Sequence, residues 1–325
     1  MKITDTIIQG DSLAVLKELP DECVDCVITS PPYWGLRDYG VDGQLGLERT
    51  LEEYVGKMVE IFREVRRVLK NTGSCFVNLG DTYGTGSGVD ENRVHAKQGT
   101  LKGWINGREK VPGYQYSLLM IPEKFAISMI DGGWKLRNKI IWHKKNAMPS
   151  SVVNRWSNKY EFVYFFVKDK EYYFDLDSVR VPYETEEKRP MGIIRQREYG
   201  YNTKQGTKRR EMKENSRTFN KRRPPANTGE YKRNPKGKNP GDVWTLTLQP
   251  HPERHIAMFP EKLISPLVKA ASPEGGLVLD PFIGSGTTAV VAKKLGRHYL
   301  GIELNPDYIE IAEKRIEREC PLTLY

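Results

Sequence analysis

Residues 277–295, LVLDPFIGSGTTAVVAKKL, have the pattern of a strand, a tight turn and a helix. The apolar run ends at Asp280, and Gly284 and Gly286 let the backbone of the turn approach a ligand without an obstructing Cβ. The helix that follows directs its N-terminal N–H groups toward the same place. A second strand is predicted at 299–304, so the segment predicts the carboxyl edge of an open α/β sheet, where ligands bind.

The turn argues against two common nucleotide sites. It lacks the third glycine of the G-x-G-x-x-G dinucleotide signature, and it lacks the G-K-[ST] sequence of an NTP-binding loop. Glu303 lies at the carboxyl end of the second strand, where a carboxylate can accept hydrogen bonds from both hydroxyls of a ribose. The pattern therefore favours a ribose-bearing ligand that is neither a dinucleotide nor an NTP.

The N-terminal part of the chain alternates strands and helices. Apolar runs and helical spacing predict strands at 6–8, 24–29 and 74–79 and helices at 12–19 and 50–69. We expect the second helix to end at Asn71-Thr72-Gly73. This β-α-β-α-β order predicts an α/β protein whose parallel sheet is connected by crossover helices.

The residues Ser30-Pro31-Pro32-Tyr33 follow the predicted strand 24–29. The two prolines fix the backbone and remove two N–H donors. A rigid loop of acceptors remains, namely the Ser30 hydroxyl and the carbonyl oxygens of Ser30 and Pro31. Such acceptors can hold the hydrogens of an aromatic amino group and turn the nitrogen lone pair toward a methyl donor. Tyr33 can stack on the aromatic base that carries this amino group.

Both motifs resemble those of the DNA amino-methyltransferases. That family carries [DNS]-P-P-[YFW] at its catalytic site and D-P-F-x-G-x-G-T-T at its cofactor site, and residues 30–33 and 280–288 match them. The catalytic motif comes first, an order that resembles the beta class. The resemblance covers 5–80, 138–168 and 243–317. It implies a Rossmann-like S-adenosylmethionine-dependent methyltransferase sheet with a circularly permuted motif order and an inserted target-recognition region.

The resemblance also implies which residues bind S-adenosylmethionine: Asp11, Phe259, Pro260, Asp280, Phe282, Gly284, Ser285, Gly286, Thr287 and Glu303. Glu303 would bind the ribose, Asp11 would contact the adenine, and Phe259 with Pro260 would pack against the methionine end. Asp11 fits equally well as the N-cap of the helix 12–19. Ser30, Pro31, Pro32 and Tyr33 would carry the catalysis.

The same resemblance addresses the target base. It implies a base pocket that includes Trp34, Trp142, His143 and Lys144, although His143 fits equally well as a partly buried histidine with no chemical role. The sequence TSPPYW resembles the cytosine-N4 branch of the family, whereas DPPY is commoner among adenine-N6 enzymes of this chain order. We therefore expect methylation at N4 of cytosine, with N6 of adenine as the alternative.

The basic charge is concentrated in one segment. Residues 188–238 contain 17 Lys and Arg against 4 Asp and Glu, a local charge of +13 in a chain whose net charge is +9. Such a patch is the electrostatic footprint expected of a polyanion binder, although a basic stretch can also be a solvated or disordered linker. Together with the resemblance it implies binding to double-stranded DNA that weakens strongly as salt rises. The predicted DNA contacts are Arg209, Arg210, Lys221, Arg222 and Arg223.

Other classes of protein are disfavoured. Cys23 and Cys26 form a CxxC pair, but no second pair of Cys or His completes a zinc site, so we expect four reduced thiols and no metal. No apolar run approaches the ~18 residues of a membrane helix, and the N-terminus has no apolar signal region. We expect a cytoplasmic protein of a prokaryotic cell or phage.

The chain is predicted to divide into a catalytic half at 1–175, a basic target-recognition insert at 176–242 and a cofactor-binding half at 243–325. We expect a monomer or homodimer, with a cognate restriction endonuclease as a candidate partner. Two other classes remain open: a DNA-binding protein with a vestigial site, which would not bind the cofactor, and a methyltransferase of RNA or protein amines, which would ignore duplex DNA.

Overall fold

The computed structural model describes residues 3–36, 38–84, 114–147, 150–183, 234–247 and 259–321. The chain has two compact units, one of Met1–Val179 with Pro240–Tyr325 and one of Arg180–Asn239. In the smaller unit, Val181 and Lys238 form an antiparallel bridge. The predicted DNA contacts Arg209, Arg210, Lys221, Arg222 and Arg223 lie outside the described residues.

The larger unit is built on an eight-stranded sheet. Its strands are β1 Thr6–Gln9, β2 Val24–Thr29, β3 Leu69–Leu79, β4 Lys135–Lys144, β5 Tyr160–Val167, β6 Val243–Leu246, β7 Leu277–Asp280 and β8 His298–Glu303. The spatial order is β1-β8-β7-β2-β3-β5-β4-β6. β5 is antiparallel to both β3 and β4, and the other described pairs are parallel.

Helices cover both faces of this sheet. They are α1 Ser12–Glu18, α2 Leu51–Val68, α3 Ile121–Asp131, α4 Glu261–Ala271, α5 Thr287–Lys294 and α6 Pro306–Glu319, and a short 3-10 turn spans Leu176–Val179. The apolar sides of α1, α2 and α3 form one core cluster. Those of α4 and α5, with Ile316 of α6, form the other. Within the described residues, no helix is long and apolar enough to cross a membrane.

The helix α2 shows how the sequence sets an element's limits. Thr50 and Glu53 form a reciprocal capping box at its start. The helix ends at Val68, earlier than the predicted stop at 71–73, and Leu69 already pairs with Val24 of β2. The next pair is Cys26 with Ser74, so the polar residues 70–73 form an irregularity inside β3. Residues 71–73 were predicted to end the helix, but they form a bulge within β3, because β3 pairs with β2 both before and after them.

The neighbouring strands β2 and β7 place the two sequence motifs side by side. From β2 the chain crosses over one face through α2 to β3, and from β7 it crosses over the other face through α5 to β8. Because the two crossovers leave in opposite directions, a crevice opens between the carboxyl ends of β2 and β7. This topological switch point is where open α/β sheets bind ligands.

Candidate active site

A cavity of about 320 Å³ lies at this edge of the sheet. Its lining includes six residues that were predicted from sequence: Asp11, Ser30, Pro32, Phe282, Gly284 and Glu303. They follow or end four strands, β1, β2, β7 and β8, whose carboxyl ends meet here. The structure therefore places Ser30 and Pro32 of the catalytic motif in the same cavity as three parts of the predicted cofactor site, which are Asp11, the turn at 282–284 and Glu303.

Glu303 has its carboxylate fixed by the backbone. Its Oε2 accepts a hydrogen bond from Gly284 N at 3.0 Å, and its Oε1 accepts one from Asn305 N at 2.8 Å. Burial raises the pKa of this carboxyl, and the backbone hydrogen bonds partly offset the rise. Each carboxylate oxygen has more than one lone pair, so both can still accept a hydrogen bond from a ribose hydroxyl.

Asp11 serves as a helix cap and lines the cavity. Its Oδ1 accepts a hydrogen bond from Ala14 N at 2.9 Å, which satisfies one free donor at the start of α1. The neighbouring Ser12 donates its hydroxyl to Pro281 O at 2.6 Å and so joins α1 to the turn after β7. Asp11 is thus the N-cap of α1, one of the two roles predicted from the sequence, and it also lies at the cavity.

Asp280 is buried and connects the two motifs. Its Oδ1 accepts hydrogen bonds from Thr29 Oγ1 at 2.6 Å and Phe282 N at 3.0 Å, and its Oδ2 accepts one from Thr288 Oγ1 at 2.7 Å. Burial penalises the charged form and raises the pKa of Asp280 to about 6, even though these hydrogen bonds lower it. Since Thr29 immediately precedes Ser30, Asp280 anchors the catalytic loop to the turn of the cofactor motif.

The remaining residues of the cofactor motif form the buried support of the turn. Ser285, Gly286 and Thr287 are buried, and Thr287 Oγ1 accepts a hydrogen bond from Arg315 Nη1 at 2.8 Å. Gly286 has φ +79°, and a Cβ there would lie 3.0 Å from the Cβ of Ala312. Glycine is therefore required both by the backbone and by the close approach of α6.

Phe259 and Pro260 lie at the start of α4 rather than in the cavity lining. Phe259 is partly buried and packs against the core cluster of the second face. Pro260 is buried and forms the N-cap of α4.

The hydroxyls of the catalytic motif meet a polar network. Tyr33 donates its hydroxyl to Glu161 Oε2 at 2.9 Å, and Asn78 Oδ1 lies 3.3 Å from the Tyr33 oxygen. Ser30 Oγ donates to the same Asn78 oxygen at 3.4 Å. Burial, together with the Glu161 charge, raises the pKa of Tyr33 well above its usual value. Tyr33 is therefore a neutral donor whose position is fixed by two neighbouring strands.

The four residues assigned to a base pocket occupy different environments. Lys144 forms an ion pair with Glu161, and its Nζ lies 4.5 Å from the ring centroid of the buried Trp142. Trp34 is buried in the first-face core and donates from Nε1 to Glu48 O at 2.9 Å. His143 places Nδ1 3.2 Å from Thr245 Oγ1 of β6. Of the four, Lys144 contacts Glu161, the hydrogen-bond partner of Tyr33, and Trp142 packs against Lys144.

The family assignment agrees with this geometry. Residues 24–314 match the sequence profile of a family described as DNA methylase. The chain belongs to the beta-class DNA amino-methyltransferases. The match covers most of the chain and includes both motifs in the permuted order. The predicted family and its cofactor, S-adenosylmethionine, are thereby confirmed.

Two relatives illustrate how far this methyltransferase resembles known proteins. It is 36% identical to the type II methyltransferase M.Cfr9I of Citrobacter freundii, over 97% of this chain and 88% of that protein. It is 35% identical to the type II methyltransferase M.SmaI of Serratia marcescens, over 96% of this chain and 90% of that protein. The similarity thus extends over nearly the whole of each protein.

Solved structures confirm the predicted fold of this methyltransferase. The PvuII cytosine-N4-specific DNA methyltransferase superposes with a TM-score of 0.61 at 20% identity, over 95% of this chain and 85% of that one. TTHA0409 from Thermus thermophilus, solved with S-adenosyl-L-methionine, gives a TM-score of 0.56 at 23% identity, over 97% of this chain and 94% of that one. At these identities the likeness concerns the fold alone.

Some residues at the site of this methyltransferase were missed from sequence. Asn78 is a polar residue in the apolar run FVNL near the carboxyl end of β3, a signal that could have identified it. Glu161 carries no such signal, because the antiparallel direction of β5 brings its first residues to this edge. Further lining residues come from the loop after the catalytic motif, α2, and the start of α6: Tyr39, Val41, Gly43, Gln44, Leu45, Glu48, Lys57, Glu60, Ile61 and Tyr308.

Proposed function

We propose that this DNA methylase is a site-specific enzyme that methylates N4 of cytosine in double-stranded DNA. The observation that supports it best is the cavity lined by Ser30 and Pro32 of one motif and Phe282, Gly284 and Glu303 of the other. A methyl donor held by the second motif would lie beside the acceptor loop of the first. Such positioning is the main requirement of an in-line transfer.

The residues of the cavity fit S-adenosylmethionine. A volume of about 320 Å³ lies within the range of small-ligand sites, ~300–1,000 Å³. Glu303 offers two fixed carboxylate oxygens to a ribose, and Leu13, Phe282 and Ile302 offer an apolar surface to an adenine ring. When bound, the cofactor supplies an electrophilic methyl group on a sulfonium centre.

Ser30 is held as an acceptor by Asn78. The Asn78 amide donates from Nδ2 to Phe162 O at 3.1 Å, which directs its Oδ1 toward Ser30 and Tyr33. The Ser30 hydroxyl then gives its hydrogen to Asn78, and its oxygen lone pairs remain available. We infer that this oxygen and the nearby backbone carbonyls hold the hydrogens of the target amino group.

Tyr33 is positioned to stack on the base. Glu161 fixes its hydroxyl at 2.9 Å, and its ring lies so close to Gly80 that a Cβ there would be 2.7 Å from Tyr33 Cε2. A ring fixed at its hydroxyl and along one edge can stack on an aromatic base at little cost in conformational entropy. The target base must be extruded from the duplex to reach it.

The assignment to cytosine rests on Ser30 as the first residue of the S-P-P-Y motif, and adenine N6 is the alternative. The test is nucleoside mass spectrometry of plasmid DNA incubated with the protein and labelled S-adenosylmethionine. Labelled N4-methylcytosine is expected, while labelled N6-methyladenine would reject the interpretation of Ser30. Label in neither base, despite measured cofactor binding, would reject the proposed function.

A matched pair of variants connects the product to the site. Ser30→Ala removes the acceptor hydroxyl and is expected to lose most methyl transfer while it keeps cofactor binding, because Ser30 contacts the amino group and the Glu303 side of the cavity is untouched. Ser272→Ala removes a buried hydroxyl that donates to Val268 O and does not line the cavity, so it controls for the loss of a serine hydroxyl and should keep both methyl transfer and cofactor binding.

The proposal also covers the DNA-recognition segment, the partners, the oligomeric state and the cellular location of the protein. We propose that residues 176–242 recognise the DNA site and that its basic side chains hold phosphates. A cognate restriction endonuclease, a monomeric or homodimeric state and a cytoplasmic location in a prokaryotic cell or phage stay predictions.

A further inference from the structure

The exposed loop 150–159 precedes β5 at the catalytic edge of the sheet. Because β5 is antiparallel to β3, its first residues lie beside the carboxyl end of β3, as the pair Leu79–Phe162 shows. Glu161, the second residue of β5, accepts the hydroxyl of Tyr33 at 2.9 Å. The loop is therefore attached directly to the residue that positions the proposed base-stacking ring.

Two large apolar side chains on this loop face solvent. Trp156 is 94% exposed and Val153 is 99% exposed. Burial of such side chains is favourable by default, and indole rings are typically at least partly covered in folded proteins. Together with the exposed Val153 three positions earlier on the same loop, an indole this exposed next to the candidate active site favours an interaction surface.

Contacts on both sides of Trp156 hold the loop in place. The guanidinium carbon of Arg155 lies 3.6 Å from the ring centroid of Tyr83, and Arg155 Nη1 donates to Trp156 O at 3.3 Å. Tyr83 also donates its hydroxyl to Asn158 Oδ1 at 3.5 Å. Since Tyr83 fixes the residues on either side, the Trp156 ring is presented outward from an anchored backbone.

The charge around the loop favours a polyanion. Between 144 and 161 the sequence has four basic residues, Lys144, Lys145, Arg155 and Lys159, against the single acid Glu161. This excess suits the phosphates of a duplex. Apolar side chains that enter a base stack are a known device of DNA-binding proteins, because they replace stacking that the deformed duplex loses.

We propose that Trp156 inserts into the DNA stack and occupies the space that the extruded target base leaves. This role rests on the proposed function, because it requires a duplex substrate whose base enters the cavity. The ring would stack on the bases that flank the gap, so that the extruded state is stabilised. Arg155 and Lys159 would hold the adjacent phosphates.

The test compares two forms of one oligonucleotide duplex that contains the mapped methylation site. In one form the target base is paired, and in the other it faces an abasic position, which lowers the cost of extrusion. Trp156→Ala is expected to reduce kcat/KM on the paired duplex by on the order of 10- to 100-fold, the effect of losing one base–aromatic stack. On the abasic duplex the loss should largely disappear, and Trp156→Phe should retain most activity on both.

Tyr173→Ala is the matched control. Tyr173 is an exposed aromatic residue at the opposite edge of the sheet, where its N–H donates to Thr72 O, and its removal should leave kcat/KM unchanged on both duplexes. Full activity of Trp156→Ala on the paired duplex would overturn the proposal, and so would an equal loss on both duplexes. Wild-type methylation of the paired duplex tests the proposed function separately, so the two failures are distinguishable.

Discussion

The substitution Asp280→Asn should change how the stability of the protein depends on pH. Folding raises the pKa of Asp280 from 3.8 to about 6, so the native state favours the neutral carboxyl. The stability contributed by this neutral form is fully present below pH ~4 and is lost as pH rises through ~6. Asparagine has nearly the same shape and is neutral throughout, so it does not lose this contribution.

The magnitude follows from the two pKa values. A difference of about two pH units corresponds to about 3 kcal/mol, and Asp280 is buried, so solvent does not screen it. The free energy of unfolding of Asp280→Asn, relative to wild type, should therefore rise by about 3 kcal/mol between pH 4 and pH 7 and stay level above pH 7. Urea unfolding followed by circular dichroism at several pH values measures this difference.

The control is Asp42→Asn, which removes one carboxyl at an exposed position. It reports the general effect of one fewer negative charge, and its difference from wild type should change little over the same range. A constant difference between Asp280→Asn and wild type from pH 4 to pH 7 would refute the reasoning, because Asp280 would then not be held in its neutral form by burial.

Two further predictions address the site and its support. Glu161→Gln should lower kcat on the order of 10- to 100-fold with unchanged cofactor affinity, because it weakens the charge-assisted hydrogen bond to the Tyr33 hydroxyl. An unchanged kcat would show that the Tyr33 hydroxyl does not need a carboxylate partner. Gly286→Ala should destabilise the protein by about 2 kcal/mol or more, because it forces a positive φ and a contact with Ala312. Its control, Gly56→Ala, lies on the open side of α2 and should stabilise by about 0.5–1 kcal/mol; equal effects of the two would contradict the argument.

Much of the fold was predictable because local patterns agree with the tertiary structure. The strand β7 and helix α5 lie where the segment 277–295 placed them, and the periodicity of 50–69 matches α2 to within two residues. The four-residue strand β6 was missed, since VWTL is too short to show a period and pairs with the distant β4. Its existence depends on a tertiary contact that no local window contains.

The site was less predictable for a related reason. Motif residues such as Ser30 and Glu303 stand at strand ends, so sequence order alone brings them to one edge. The partners of the Ser30 and Tyr33 hydroxyls depend on sheet order and strand direction. Glu161 reaches Tyr33 because β5 reverses direction beside β3, and Lys144 reaches Glu161 because β4 and β5 pair as neighbours. Neither fact is encoded in the spacing of the residues themselves.

The circular permutation is tolerated because the connection between the motifs is spatial. Thr29 and Asp280 are separated by 251 positions in the chain, yet their side chains are joined by a hydrogen bond of 2.6 Å. This hydrogen bond requires that β2 and β7 be neighbours in the sheet, and it does not depend on which of the two strands comes first in the sequence. Any chain order that preserves this pairing keeps the acceptor loop beside the cofactor turn, so the geometry that the proposed reaction needs depends on the pairing of the strands and not on their order in the sequence.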